Sequence, residues 1–189
     1  MREADPAERR KKRPPKPLDS ARLEELALAY VARFATSAAK LRTYLRRKLR
    51  ERGWSEEGEP QVEALVSRYV ELGYVDDASF ARMRAGGLLQ RGYGARRVAQ
   101  VLHADGIAEE LREDVAPGEV AQRRAALALA RRRRFGPFGE LPDRDRREKQ
   151  IAAMLRAGHG MGHVIALVDA QSIAEAEEWL AEAEEDDMP

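Results

Sequence analysis

One phrase recurs three times along this chain at a nearly fixed interval, and it restricts the fold more than any other feature. Leu45, Leu49 and Gly53 stand four residues apart and are followed by Trp54. Val98, Leu102 and Gly106, followed by Ile107, repeat the phrase, and Ile151, Met154 and Gly158, followed by His159, give a looser third copy. The three glycines are separated by 53 and 52 residues. Apolar residues three or four apart share one face of a helix, and a glycine just beyond is where a left-handed C-terminal cap costs least. Self-similarity at such a period is the mark of a repeat protein.

Each copy extends into a helix, helix, glycine, helix plan. A first helix is expected over about 20–34, with Leu23, Leu26, Ala27, Tyr30 and Val31 on one face and Asp19 or Ser20 as its cap. Thr36 or Ser37 caps the second, which ends at Gly53, and Ser55 is expected to cap a third over 56–72. Shorter helices over 108–115 and 161–169 follow the other two glycines. No segment alternates with period two, so no strands are expected. The class is all-α: tandem repeats of three-helix modules forming an elongated, curved array. The expected divisions are a disordered basic arm at 1–18, repeats at 19–75, 76–117 and 118–181, and an acidic tail at 182–189. The third repeat carries a longer internal loop running from Phe135 to Pro142.

Composition narrows the function. Charged residues make up 35% of the chain and aromatics 6%, which suits thin modules with much solvated surface. Net charge is only +1, but it is unevenly spread. Residues 1–17 hold seven basic and three acidic side chains, residues 42–52 hold six and one, and Glu175–Asp187 holds eight acids and no base. Without cysteine there are neither disulfides nor thiolate metal sites, and a reducing compartment is the natural home. No signal peptide or membrane span is evident, so a soluble cytoplasmic protein is expected.

Two stretches are more specific than helical patterning. One is Gly-Tyr-Val-Asp-Asp-Ala-Ser-Phe-Ala from Gly73 to Ala81. There Gly73 ends a helix, Asp76 or Asp77 caps the next, and Phe80 anchors it. The other is Arg-Gly-Tyr-Gly-Ala-Arg-Arg-Val from Arg91 to Val98, running on to Gly106 and Ile107. Together with the helix entry at Ser37, Lys40 and Leu41 and the tandem plan, these joints resemble the RecX family, regulators of the bacterial RecA recombinase. The resemblance covers roughly residues 20–170. Asp105 departs from it, standing where the family pattern has a base. What it implies is a non-enzymatic protein that binds the RecA nucleoprotein filament and restrains its extension, ATPase, strand-exchange and co-protease activities. Some family members also touch DNA.

Candidate binding residues follow from helical geometry. On the helix ending at Gly53, Lys40, Arg46, Arg47 and Arg50 fall opposite the Leu41, Leu45 and Leu49 stripe. Guanidinium rows can engage carboxylates or phosphates bidentately. Arg96 and Arg97 ride the start of the helix after the glycine joint that Arg91 opens, and Arg131 and Arg132 belong to a basic block at a helix end, where the helix dipole also favours cations. Against each stands the plainer reading of a solvated basic face. The expected partners are the filament and single- or double-stranded DNA through the basic faces. No membrane is expected as a partner, and the protein should be a monomer.

Catalysis is poorly supported. His159 and His163 have i, i+4 spacing but interrupt a glycine-rich segment, and capping explains the Asp76–Asp77 pair. No phosphate-binding glycine loop is present, and no cofactor is expected. The rivals are a DNA-binding protein of helix-turn-helix type and a helical adaptor.

Overall fold

The computed structural model describes residues 16–140 and 143–188; residues 1–15 of the basic arm lie outside them. Within the described residues the chain forms ten α-helices and one 3₁₀ turn, with a single isolated β-bridge between Leu18 and Trp54. None of these helices is long and apolar enough to cross a membrane.

The first unit comprises α1 (Ser20–Val31), α2 (Ala38–Arg52) and α3 (Val62–Glu71). Asp19 caps α1 by accepting from the Arg22 N–H at 2.8 Å, and Ser37 caps α2 from the Lys40 N–H at 3.2 Å. Leu23, Ala27, Leu41, Leu45, Val62, Val66 and Tyr69 form its core, as their spacing requires. The sequence expectation fails at three places here. Helix α1 stops at Val31, short of residue 34. Helix α3 starts seven residues after Ser55, capped by no side chain. Ser55 instead bonds the Leu18 carbonyl through its N–H at 2.9 Å and its hydroxyl at 3.1 Å. Those bonds, with Leu18 N–H donating to the Gly53 carbonyl at 3.0 Å, hold Leu18 fully buried. The end of the expected arm is thus part of the core.

The second unit comprises α4 (Asp77–Gln90), α5 (Ala95–Ala104) and α6 (Glu109–Asp114) around Phe80, Ala81, Ala85, Leu88, Val98, Leu102 and Ile107. The third comprises α7 (Glu119–Arg133), the 3₁₀ turn Gly136–Phe138, α8 (Arg144–Arg156), α9 (Met161–Val168) and α10 (Ile173–Asp186). Its loop folds inward: the Gly136 N–H donates to Gln150 Oε1 at 2.9 Å, and a Cβ on Gly136 would sit 2.1 Å from the Leu167 carbonyl oxygen. Gly53, Gly106 and Gly158 all hold positive φ, at 80°, 76° and 95°. Gly106 and Gly158 follow the cap residue, and Ile107 and His159 then donate back to the Leu102 and Met154 carbonyls, whereas Gly53 is itself the cap and donates to the Leu49 carbonyl.

The expected acidic tail is a helix through Asp186. Helix α10 lies on α7, where Glu177 pairs with Arg131, Glu184 with Arg124 at 2.5 Å and Glu182 with Arg123 at 3.7 Å. The Arg123 guanidinium also lies 4.8 Å from the centre of the Trp179 ring. Three of the eight acids in Glu175–Asp187 thus meet arginines of α7 inside one unit.

Candidate functional site

Thin modules act together only if something fixes each on the next, and polar joints do so here. Between the first and second units the N-terminus of α2 meets the end of α5. Ser37 Oγ donates to the Asp105 carbonyl at 2.6 Å, and the Ala38 N–H donates to Asp77 Oδ1 at 2.8 Å. Asp77 therefore places a carboxylate at the positive end of α2, one unit away, while Asp76 caps its own helix from the Ser79 N–H at 2.9 Å. The Asp105 carboxylate takes Lys40 Nζ at 2.8 Å on one oxygen and Arg84 Nε at 3.1 Å on the other. Its side chain is 11% exposed and both cations are 37% exposed. The departure from the family pattern at Asp105 is thus a clamp between two units.

The second joint is mostly backbone. The Gly94 N–H donates to the Ala157 carbonyl at 2.9 Å, the Arg96 N–H to that of Gly158 at 3.2 Å, and Arg96 Nη2 to that of His159 at 3.0 Å. Cβ atoms have no room: one on Gly94 would lie 2.4 Å from the Gly158 carbonyl carbon, and one on Gly158 would lie 2.4 Å from the Arg97 nitrogen. His159 fills the remaining space, 1% exposed, with Nε2 at 3.0 Å from the Gly92 carbonyl. A carbonyl only accepts, so Nε2 carries the proton and Nδ1 is a bare acceptor without a partner among the described residues.

This geometry makes the second joint sensitive to acid. Burial pushes the His159 imidazole below its ordinary range, more than the Gly92 hydrogen bond raises it, and His163 nearby adds to the depression. His163 itself faces the Glu119 carboxylate at 3.1 Å. A depressed folded value means that this stability is present above the unfolded value of about 6.5 and is lost as pH falls through the folded one. Unfolding midpoints should drop as pH falls below about 6.5, before most carboxylates titrate. His159→Gln should flatten that slope. An unchanged slope would place the acid sensitivity elsewhere.

The structure divides the nine residues expected to bind a partner into two groups. Five make internal contacts. Lys40 serves the clamp, and Arg46 pairs with Glu63 at 2.8 Å. Arg47 lies 3.7 Å from Glu51, Arg96 holds the second joint, and Arg131 pairs with Glu177. The remaining four, Arg50, Arg91, Arg97 and Arg132, are exposed and make no ion pair with a described residue. Arg91 and Arg97 flank the second joint. Gly92, next to Arg91, abuts α7 at Ala125 and Leu129, and Arg132 lies one turn beyond Leu129. Sequence reasoning missed Asp77, Asp105 and Arg84 as joint residues. For Asp77 and Asp105 the available signal was an acid beside a glycine-marked turn, but its partner lies 39 to 68 residues away.

Residues 76–115 match the family model described as RecX, second three-helix domain, which covers α4 to α6. The chain is 35% identical over 175 residues to the regulatory protein RecX of Myxococcus xanthus, covering 86% of this chain and 91% of that one. It is 34% identical over 141 residues to the regulatory protein RecX of Thermus thermophilus, covering 75% and 87%. A crystal structure of regulatory protein RecX superposes with a TM-score of 0.61 at 21% identity, covering 79% of this chain and 70% of that one. RecX from Lactobacillus salivarius gives 0.59 at 16%, covering 79% and 96%. The helical repeat architecture is therefore shared well beyond the range of close sequence likeness, and with identity above 30% across nine-tenths of a relative's length, this chain belongs to the RecX family.

Proposed function

We propose that this protein binds the RecA nucleoprotein filament and restrains its extension, ATP hydrolysis, strand exchange and co-protease activity. It acts by binding alone, as a monomer in the cytoplasm. The observation that carries this reading is family membership across 86% of the chain.

The physical account rests on the joints. Three small units held by hydrogen-bonded, close-packed contacts keep their surfaces at fixed spacing. A filament offers one surface repeatedly, so an array of fixed spacing can span neighbouring subunits and oppose the rearrangements of growth and ATP turnover. Arg50 and the group of Arg91, Arg97 and Arg132 are the side chains available to grip it, since they make no ion pair with a described residue.

Recombinase filaments formed on single-stranded DNA test this directly. Titrating in the protein should slow ATP hydrolysis and filament growth, and the protein should co-sediment with the filaments. Reversing Arg91 and Arg97 to Glu should weaken inhibition by roughly tenfold or more while helicity stays the same. Absence of both inhibition and co-sedimentation, where filaments persist, would sink the proposal.

A further inference from the structure

Beside the core of the second unit runs a largely apolar groove of about 280 Å³, between α5 and the segment that leads from α6 to α7. Val98 and Leu102 form its floor, and Ala116 and Pro117 line its far side. That side is held in place: the Ala116 N–H donates to the Glu113 carbonyl at 3.0 Å, and Gln122 Nε2 donates to the Pro117 carbonyl at 2.9 Å. The charged residues of the lining are Arg96 and Arg112, and no acid lines it. Arg96 already gives Nη2 to the His159 carbonyl. Arg112 is half-buried and makes no ion pair with a described residue, and its Nε is shielded from solvent with no acceptor among the described residues. Glu109 and Glu113 share α6 with it, yet neither lines the groove.

A half-buried guanidinium against an apolar wall gives up hydration, and without an internal acceptor nothing offsets that loss. The apolar wall also strengthens its attraction for any carboxylate that reaches it. The groove has room for one or two aliphatic side chains, not for a folded partner. Its ligand therefore carries an apolar side chain and a carboxylate close together. In an extended peptide neighbouring side chains point to opposite faces, so an internal leucine beside an acid does not present both to one groove. A chain end does, because its last residue holds side chain and carboxylate on one Cα. We propose that this groove captures the C-terminus of a partner chain that ends in an aliphatic residue. Arg112 holds the terminal carboxylate, Val98 and Leu102 lie under the side chain, and Arg96 favours an acidic residue before it. This goes beyond the filament reading and does not depend on it, since it uses none of Arg50, Arg91, Arg97 and Arg132.

The test uses the full chain, no recombinase, and labelled synthetic peptides made of a short run of glutamates followed by leucine. One peptide ends in a free carboxylate and its twin in an amide, which removes the terminal charge and keeps the rest. By fluorescence anisotropy the free acid should bind roughly tenfold more tightly than the amide. A free acid ending in glycine instead of leucine should bind at least roughly tenfold more weakly, having no side chain to bury. Arg112→Gln should remove the preference for the free acid while leaving amide affinity unchanged. Ala116→Phe, which fills the groove from an exposed position, should weaken the leucine peptides with Arg112 still present. Circular dichroism checks that both variants keep their helicity. Equal affinity for acid and amide, equal affinity for leucine and glycine ends, or no binding at all would each overturn the proposal. So would a free-acid preference that survives in Arg112→Gln. If Arg112→Gln does not fold, Ala116→Phe decides: full affinity with the groove filled overturns the site. Self-association of the free protein that Ala116→Phe abolishes would assign the groove to a second copy of this chain instead.

Discussion

Gly94→Ala should unseat the third unit from the second, with a large stability loss for a single added methyl group. Gly94 holds a φ of −82°, which every residue adopts, so backbone preference plays no part in the effect. The obstacle is steric. The new Cβ would meet the Gly158 carbonyl carbon and oxygen at 2.4 Å and the His159 nitrogen at 2.5 Å, and none of these is a flexible side-chain end. Relief requires the backbones to separate, which stretches the Gly94–Ala157 and Arg96–Gly158 hydrogen bonds and lifts His159 Nε2 from the Gly92 carbonyl. Overpacking combined with weakened hydrogen bonds should cost roughly 3 kcal/mol. For a chain of this size that lowers the Tm by roughly 6–12 °C. Gly86→Ala is the matched control. It lies inside α4 with nothing within 4 Å of the added atom, so it should stabilise by at most about 1 kcal/mol. Should the two variants melt alike, the second joint would not be holding the units together.

Why the helices and core were legible while the joints were not comes down to range. Leu41, Leu45, Val98 and Leu102 announce their faces through spacing within a single helix, and all four are buried. Gly53, Gly106 and Gly158 announce a backbone conformation, and all three adopt positive φ. Both signals are local. Ser55 illustrates the limit: a serine before an apolar run is an N-cap pattern, but a competing partner, the Leu18 carbonyl, arrives from 37 residues earlier. The acidic C-terminal stretch is a similar case. Eight acids without a base read as a tail until the arginines of α7 are brought alongside, 46 to 60 residues away in sequence. The same long-range pairing reshapes the candidate site. Helical geometry put Lys40 and Arg46 on a solvent-facing side, and Arg46 lies there, but it could not show that Lys40 would enter a joint with Asp105 or that Glu63 would meet Arg46.

Asp105→Asn should loosen the first joint and, through it, the function of arginines it never touches. The change keeps the side chain's shape and the Ser37 bond to the Asp105 carbonyl, removing only the charge that holds Lys40 and Arg84 together. Two cations that converged on one carboxylate would then repel. Breaking a buried ion pair costs more than breaking an exposed one, and here a well-buried acid meets half-exposed cations. An intermediate loss of about 2 kcal/mol in urea unfolding is therefore expected. Lys40→Met provides the cross-check. It should destabilise the wild-type protein but cost little in the Asp105→Asn background, since it removes one of two cations left without a counter-charge. Equal costs in both backgrounds would show that the pair is not coupled and that the clamp is only a contact. Arg50 lies in the first unit and Arg91 and Arg97 lie in the second, so their relative spacing passes through this joint. If inhibition depends on fixed spacing, Asp105→Asn weakens it with every gripping arginine still present. An Asp105→Asn protein that is less stable yet fully inhibitory would mean that each unit grips the filament independently.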